Sequence, residues 1–175
     1  MHQPPENALL SAVVGSDDSE GPVPIGPDND IIWFASGRIA VLVPRTVTGG
    51  LEEAVQQISR RYDRVGEKLA LAVLIKDDMD RPGEEMRKGI RQTLDRFSPM
   101  IVCNSIVVLG SGFFRSFFMS LMSRILAVVQ KKGVSREIHT DLEMAAAWMH
   151  DRLKDPGMPA SEILGVLRWA EAQGS

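Results

Sequence analysis

From Ile31 onward the hydrophobic positions alternate between two kinds of block. IIWFA (31–35), RIAVLV (38–43), LALAVLI (69–75) and MIVCNSIVVL (100–109) are short, nearly continuous apolar runs rich in Val and Ile. Such runs predict strands, and runs without polar alternation predict strands covered on both faces. Between them lie longer segments whose apolar residues recur every three or four positions. Leu51, Ala54, Val55, Ile58 and Tyr62 make one such stripe, and Met86, Ile90, Leu94 and Phe97 make another. These predict amphipathic helices.

Local punctuation sets the boundaries. Ser36-Gly37 predicts a two-residue hairpin turn between the first two strands, and Pro44 ends the second. Thr48-Gly49-Gly50 opens a helix that Gly66 closes. Asp77-Asp78-Met79-Asp80-Arg81-Pro82 predicts an acidic loop, with Pro82, Glu84 and Glu85 at the start of the next helix. Pro99 separates that helix from the following strand. Gly110-Ser111-Gly112 and Gly133 bracket a further helix, and VSREIH predicts a short last strand. Thr140 and Glu143 have capping-box spacing for DLEMAAAWMHDRL. Pro156-Gly157-Met158-Pro159 then interrupts the chain before SEILGVLRWAEAQ, for which Ser161 is the expected cap.

The predicted order is β-β-α-β-α-β-α-β-α plus one terminal helix. That is an α/β domain with a mixed, mostly parallel sheet covered by helices. Residues 1–29, rich in Pro, Gly, Asp, Glu and Ser, read as a mobile tail in which LLSAVV (9–14) is a short apolar segment. Residues 30–154 form the domain, and 155–175 a linker and C-terminal helix.

The helix at 113–131 has the least usual pattern. Phe113, Phe114, Phe117, Phe118, Leu121, Met122, Ile125, Leu126, Val128 and Val129 cover more than half its circumference. Ser116, Ser120, Ser123 and Ala127 fill the rest, flanked by Arg115 and Arg124. Covering a sheet needs one apolar stripe, so this helix has surface for a second partner. It is either buried on several sides, with the C-terminal helix consuming the surplus, or an interaction surface.

Composition narrows the function classes. Apolar content of 44% and charged content of 25% are ordinary for a globular chain, and a net charge of −3 gives no footprint of nucleic-acid or polybasic membrane binding. The N-terminus lacks a basic segment before its apolar run, and the 113–131 helix is short and interrupted by arginines, so a cytoplasmic protein is expected. The one cysteine, Cys103, lies in an apolar strand and reads as a core thiol. Gly110-Ser111-Gly112 lacks the third glycine of a dinucleotide fingerprint, because Arg115 stands there, and reads as a tight strand-to-helix turn. Asp77, Ser111 and His139 all fall just past predicted strand ends, where open α/β sheets bind ligands. A Ser-His-Asp hydrolase would need them within hydrogen-bond reach, but Ser111 lacks the nucleophile-elbow sequence. His2, His139 and His150 are scattered, so neither a metal nor a cofactor is expected.

Three features carry a family likeness. These are the opening hairpin with Trp33 and Gly37, the strand, acidic loop and helix at 69–97, and VVLGSGFFRSFFMSL leading to REIHTDLEMAAAWM. With the element order, they make residues 31–153 resemble the STAS domain, the sulfate-transporter and anti-sigma-factor-antagonist family, with its STAS/SEC14-like relatives. In regulatory STAS proteins a serine in the loop after the central strand is phosphorylated and controls partner binding. The matching segment here, LIKDDMDRPGEEM, has no Ser or Thr between Leu69 and Gln92. The resemblance thus implies a bacterial signalling protein without that phosphoswitch, in which Asp78 or Asp80 mimics a fixed charge.

The expectation is a non-enzymatic, regulatory protein–protein interaction domain. Its expected contact residues are Asp77, Asp78, Asp80 and Arg81 in the acidic loop, and Arg115, Phe118 and Met122 on the apolar helix. The partner is a protein, with a homodimer possible and no nucleic acid. The alternative is a small lipid-binding, SEC14-like domain with a pocket beneath that helix.

Overall fold

In this computed structural model, residues 19–26, 28–46, 50–79, 82–129 and 133–173 are described, without the side chains of 85 and 86. Each apolar run becomes a strand. Among the described residues the strands are β1 (Ser19–Ile25), β2 (Ile31–Ser36), β3 (Ile39–Pro44), β4 (Leu69–Ile75), β5 (Ile101–Val108) and β6 (Ser135–His139). The helices are α1 (Leu51–Val65), α2 (Glu84–Phe97), α3 (Gly112–Val128), α4 (Leu142–Leu153) and α5 (Ala160–Gln173).

All six strands form one sheet in the order of the sequence, β1-β2-β3-β4-β5-β6. The first two pairings are antiparallel and the last three parallel. Right-handed crossovers that always step the same way put every connecting helix on one face. Accordingly Ile58 of α1, Phe97 of α2 and Phe118 of α3 share a core with Trp33, Leu71 and Ile106. Strands that are apolar on both sides need a second cover. It comes from α4 and α5, whose Met149, Ile163 and Leu167 pack on Phe34, Val41, Ala72 and Val107. The result is a three-layer α/β/α domain with a mixed, mostly parallel sheet. Among the described residues, no helix is long and apolar enough to cross a membrane.

The structure departs from the sequence expectations in four places. First, residues 19–25, assigned to the tail, form edge strand β1, antiparallel to β2. Second, α5 lies on the face opposite α3, so it does not absorb the surplus apolar surface of α3. The one-directional strand order leaves it no other face to cover. Third, the cap of α4 is Asp141, whose carboxylate accepts from Met144 N at 2.7 Å, one residue later than the Thr140 box. The helix starts one residue later than the box predicts, so the amide that is capped is Met144 N, whereas the box would have paired Thr140 with Glu143 N. Fourth, the hairpin turn is Gly37-Arg38, because Ser36 pairs with Ile39. Gly37 takes the left-handed conformation there, with φ 52°.

One buried cation fastens this hairpin. Arg61 of α1 is 1% exposed and donates from Nε and Nη2 to Gly37 O, at 3.1 and 2.6 Å. Two charge-assisted bonds to one carbonyl compensate the guanidinium for lost water and tie α1 to the hairpin tip.

Candidate functional site

The two loops that follow β4 and β5 meet at the carboxyl end of the parallel strands. Leu109 N donates to Ile75 O at 2.8 Å, carrying the pairing one step beyond both strands. After Ile75, Lys76 reaches back to Glu171 O in α5 at 3.2 Å, and Met79 and Pro82 are buried. The loop is thereby anchored at both ends while Asp77 and Asp78 stay exposed. Asp80 and Arg81, the other two expected contact residues of this loop, lie outside the described residues.

The second loop fits against the first only because residue 110 is glycine. A Cβ there would overlap the Phe114 ring and sit 3.0 Å from the Asp77 Cβ. Arg115 Nε donates to Gly110 O at 2.6 Å, which holds the guanidinium over the turn. Ser111 occupies the cap position of α3 but its side chain makes no cap bond. Phe113, in the first helical turn, is 67% exposed and stacks on Phe117 with ring centroids 6.5 Å apart. Asp77, Asp78, Ser111, Phe113 and Arg115 thus belong to one rim, an exposed aromatic ring with charges of both signs.

Phe118 and Met122, expected on this surface, are not there. They are 1% and 4% exposed and belong to the core beneath α3. A helix apolar nearly all round gives no sequence signal for which side meets the sheet. The sheet selects Phe118, Leu121, Met122, Ile125 and Leu126, leaving Phe113 and Val128 exposed at the two ends. Phe113, not Phe118, is therefore the exposed aromatic ring of this helix. Its signal in the sequence was faint, a position one turn ahead of the buried stripe.

Beneath α3 lies an apolar cavity of about 80 Å³. Its walls include Leu42, Val73, Ile75, Ile90, Phe118 and Met122, from the sheet, α2 and α3. Typical small-molecule pockets are several times larger, about 300–1,000 Å³. Near the other end of α3 is a polar patch inside the same layer. Arg136 of β6 donates to Val129 O, Leu94 O and Ser98 Oγ, closing the C-terminal ends of α2 and α3. Its sheet neighbour Asn104 is fully buried.

The hydrolase arrangement is not assembled. His139 Nδ1 lies 2.9 Å from Ser105 Oγ, and Nε2 lies 3.6 Å from the Glu137 carboxylate. Neither Asp77 nor Ser111 is among its partners. Burial pushes the His139 pKa down, against the opposing pull of Glu137 and Asp141. With Nε2–H toward Glu137, neutral His139 accepts the Ser105 hydroxyl proton at Nδ1. Ser105 is fully buried and His139 nearly so, and this pair is packed under α4. Among the described residues, no group of three or more His, Cys, Asp and Glu side chains gathers to hold a metal.

No protein-family model, no curated protein and no solved structure matches the chain.

Proposed function

We propose that this chain is a non-enzymatic interaction domain of a regulatory pathway, STAS-like in kind, which binds a protein partner through the rim of Asp77, Asp78, Phe113 and Arg115. One observation carries the reading: a large aromatic side chain, 67% exposed, stands in the first turn of α3 on a rigid scaffold, on the same rim as two exposed carboxylates. Aromatic anchors with a charged surround are the usual energetic centre of a protein interface. The strand order supports it too. An order that never reverses has no switch-point crevice, the place where open α/β sheets hold small ligands. In this reading Asp78 supplies permanently the negative charge that relatives add by phosphorylation, so binding is constitutive.

The test is site-specific photocrosslinking in the source cell, with the reactive residue at position 113 and a control at Asp63 on α1. A discrete adduct at 113 that disappears with Asp77→Lys/Asp78→Lys supports the proposal. Equal labelling at both positions, or none at 113, refutes it.

The cavity beneath Phe118 favours one other reading, a binder of small apolar molecules. Its size suits a single ring or the end of a chain, and a full acyl tail does not fit. Thermal stabilisation by a ring-sized apolar compound, abolished by filling the cavity with Val73→Phe, would favour it over the rim.

A further inference from the structure

The edge strand β1 is held in an unusual way. Of its seven residues only Ile25 is fully buried. Pro22 and Pro24 have no N–H to give to β2, and the register slips between Glu20 and Val23. Burial is therefore thin along residues 19–24, and the backbone pairing is interrupted at Gly21-Pro22. What holds this end is a side-chain receptor built by the rest of the domain. The fully buried Trp33 donates its indole Nε1–H to Glu20 Oε2 at 3.0 Å. Arg64 pairs with Glu20 Oε1, and Arg61 Nη1 approaches the same oxygen at 3.9 Å. An indole and two guanidiniums converge on one carboxylate that arrives on an extended strand.

The connection behind β1 is short and bent. The described residues Gly26, Asp28, Asn29 and Asp30 lie between β1 and β2. Gly26 has φ 88° and Asn29 φ 56°, and Asn29 N donates to Gly26 O at 3.3 Å. Asn29 is one of two non-glycine residues with positive φ among the described residues. Left-handed backbone costs Asn less than most residues but more than Gly, and that cost is released if the connection straightens. Short strained hinges favour exchange between copies of the element they join.

We propose that β1 is exchangeable, and that the β2 edge with its Trp33, Arg61 and Arg64 receptor takes β1 from a second copy of this chain. The occupant follows from complementarity. The contacts that bind Glu20 within one chain are available unchanged to Glu20 of another, so exchange keeps the receptor contacts and gives up the Asn29 N–Gly26 O bond of the bent connection. The receptor sits at the Gly37 end of the hairpin, so this surface is independent of the Asp77–Phe113 rim.

A charge swap tests it directly. Glu20→Lys alone sets two like charges together at the receptor, and so does Arg64→Glu alone. In an exchanged pair made from one copy of each, both strand-to-receptor contacts are matched. Light scattering after chromatography is expected to show each variant as a monomer and their equimolar mixture as a one-to-one dimer. Two folded variants whose mixture stays monomeric overturn the proposal. A second measurement covers misfolding of either variant. Ser19 and Ser36 are directly opposite one another, so Ser19→Cys/Ser36→Cys oxidises across the β1–β2 seam. A covalent dimer fraction that rises several-fold with protein concentration supports exchange. A crosslink confined to single chains at every concentration refutes it. Asn29→Gly, which removes the hinge strain, should lower the dimer fraction.

Discussion

His139 Nδ1 and Ser105 Oγ lie 2.9 Å apart in the layer between the sheet and α4, with the Trp148 ring 5.4 Å from the imidazole. Burial holds this histidine below its ordinary value of 6.5, in its neutral form. When pH falls through that ordinary value, the unfolded chain takes up a proton that the folded chain refuses. Folding stability therefore declines as pH falls from neutral toward the folded-state value, and is regained as pH rises. Urea midpoints between pH 7 and about 5 should fall for the native chain and stay flatter for His139→Gln, a window set above carboxylate titration. Parallel slopes for the two proteins would remove His139 as the cause.

Cys103 gives a second chemical probe. Burial pushes its thiol pKa up to about 12, against the weaker pull of Arg152 and Arg38. Almost no thiolate exists at neutral pH, and the thiolate is the nucleophile. A thiol reagent should label Cys103 only at the rate of global unfolding, and labelling should become immediate in denaturant. Fast labelling of the native protein would mean that the layer under α4 opens locally.

The two ends of the Phe113–Phe118 segment should respond oppositely to truncation. Phe118→Ala empties a core position beside an existing cavity and should cost about 3–5 kcal/mol. Phe113→Ala removes an exposed ring and should stay within about 0.5 kcal/mol. Chemical denaturation of both variants checks this, and similar losses would mean that Phe113 is also packed.

Gly110 should tolerate nothing larger than hydrogen. Its backbone is outside the left-handed region, so Gly110→Ala isolates the steric term, an overlap with Phe114 and a close approach to Asp77. The expected loss is about 1–3 kcal/mol. The added methyl also pushes the Asp77 loop away from α3. A neutral result would show that the two loops are loosely apposed.

Hydrophobic pattern was sufficient for β2 through β5 and for the amphipathic α1 and α2, because burial on both sheet faces writes long apolar runs and burial on one helix face writes clear stripes, while β6, α3, α4 and α5 were marked by their position between turn and cap signals as well. It was insufficient for β1. That strand has Gly21, Pro22 and Pro24, buries one residue fully, and is held by a single carboxylate whose receptor is scattered over Trp33, Arg61 and Arg64. The candidate rim was half legible. Asp77, Asp78 and Arg115 were found because loop position and charge are local properties. Phe118 and Met122 were misplaced because the facing of an all-round apolar helix is decided by its tertiary partner. The Ser105–His139 pair joins residues on neighbouring strands, and nothing local marks either one.

The position of α5 has a consequence for biosynthesis. Trp169 of α5 meets Phe34 of β2 edge-on at 4.9 Å, and Ile163, Val166 and Leu167 help cover the same face as Ile39 and Val41. During translation the first hairpin leaves the ribosome long before the helix that shields it. One side of the nascent sheet therefore stays sticky until α5 has left the ribosome, and this domain can complete its packing only then.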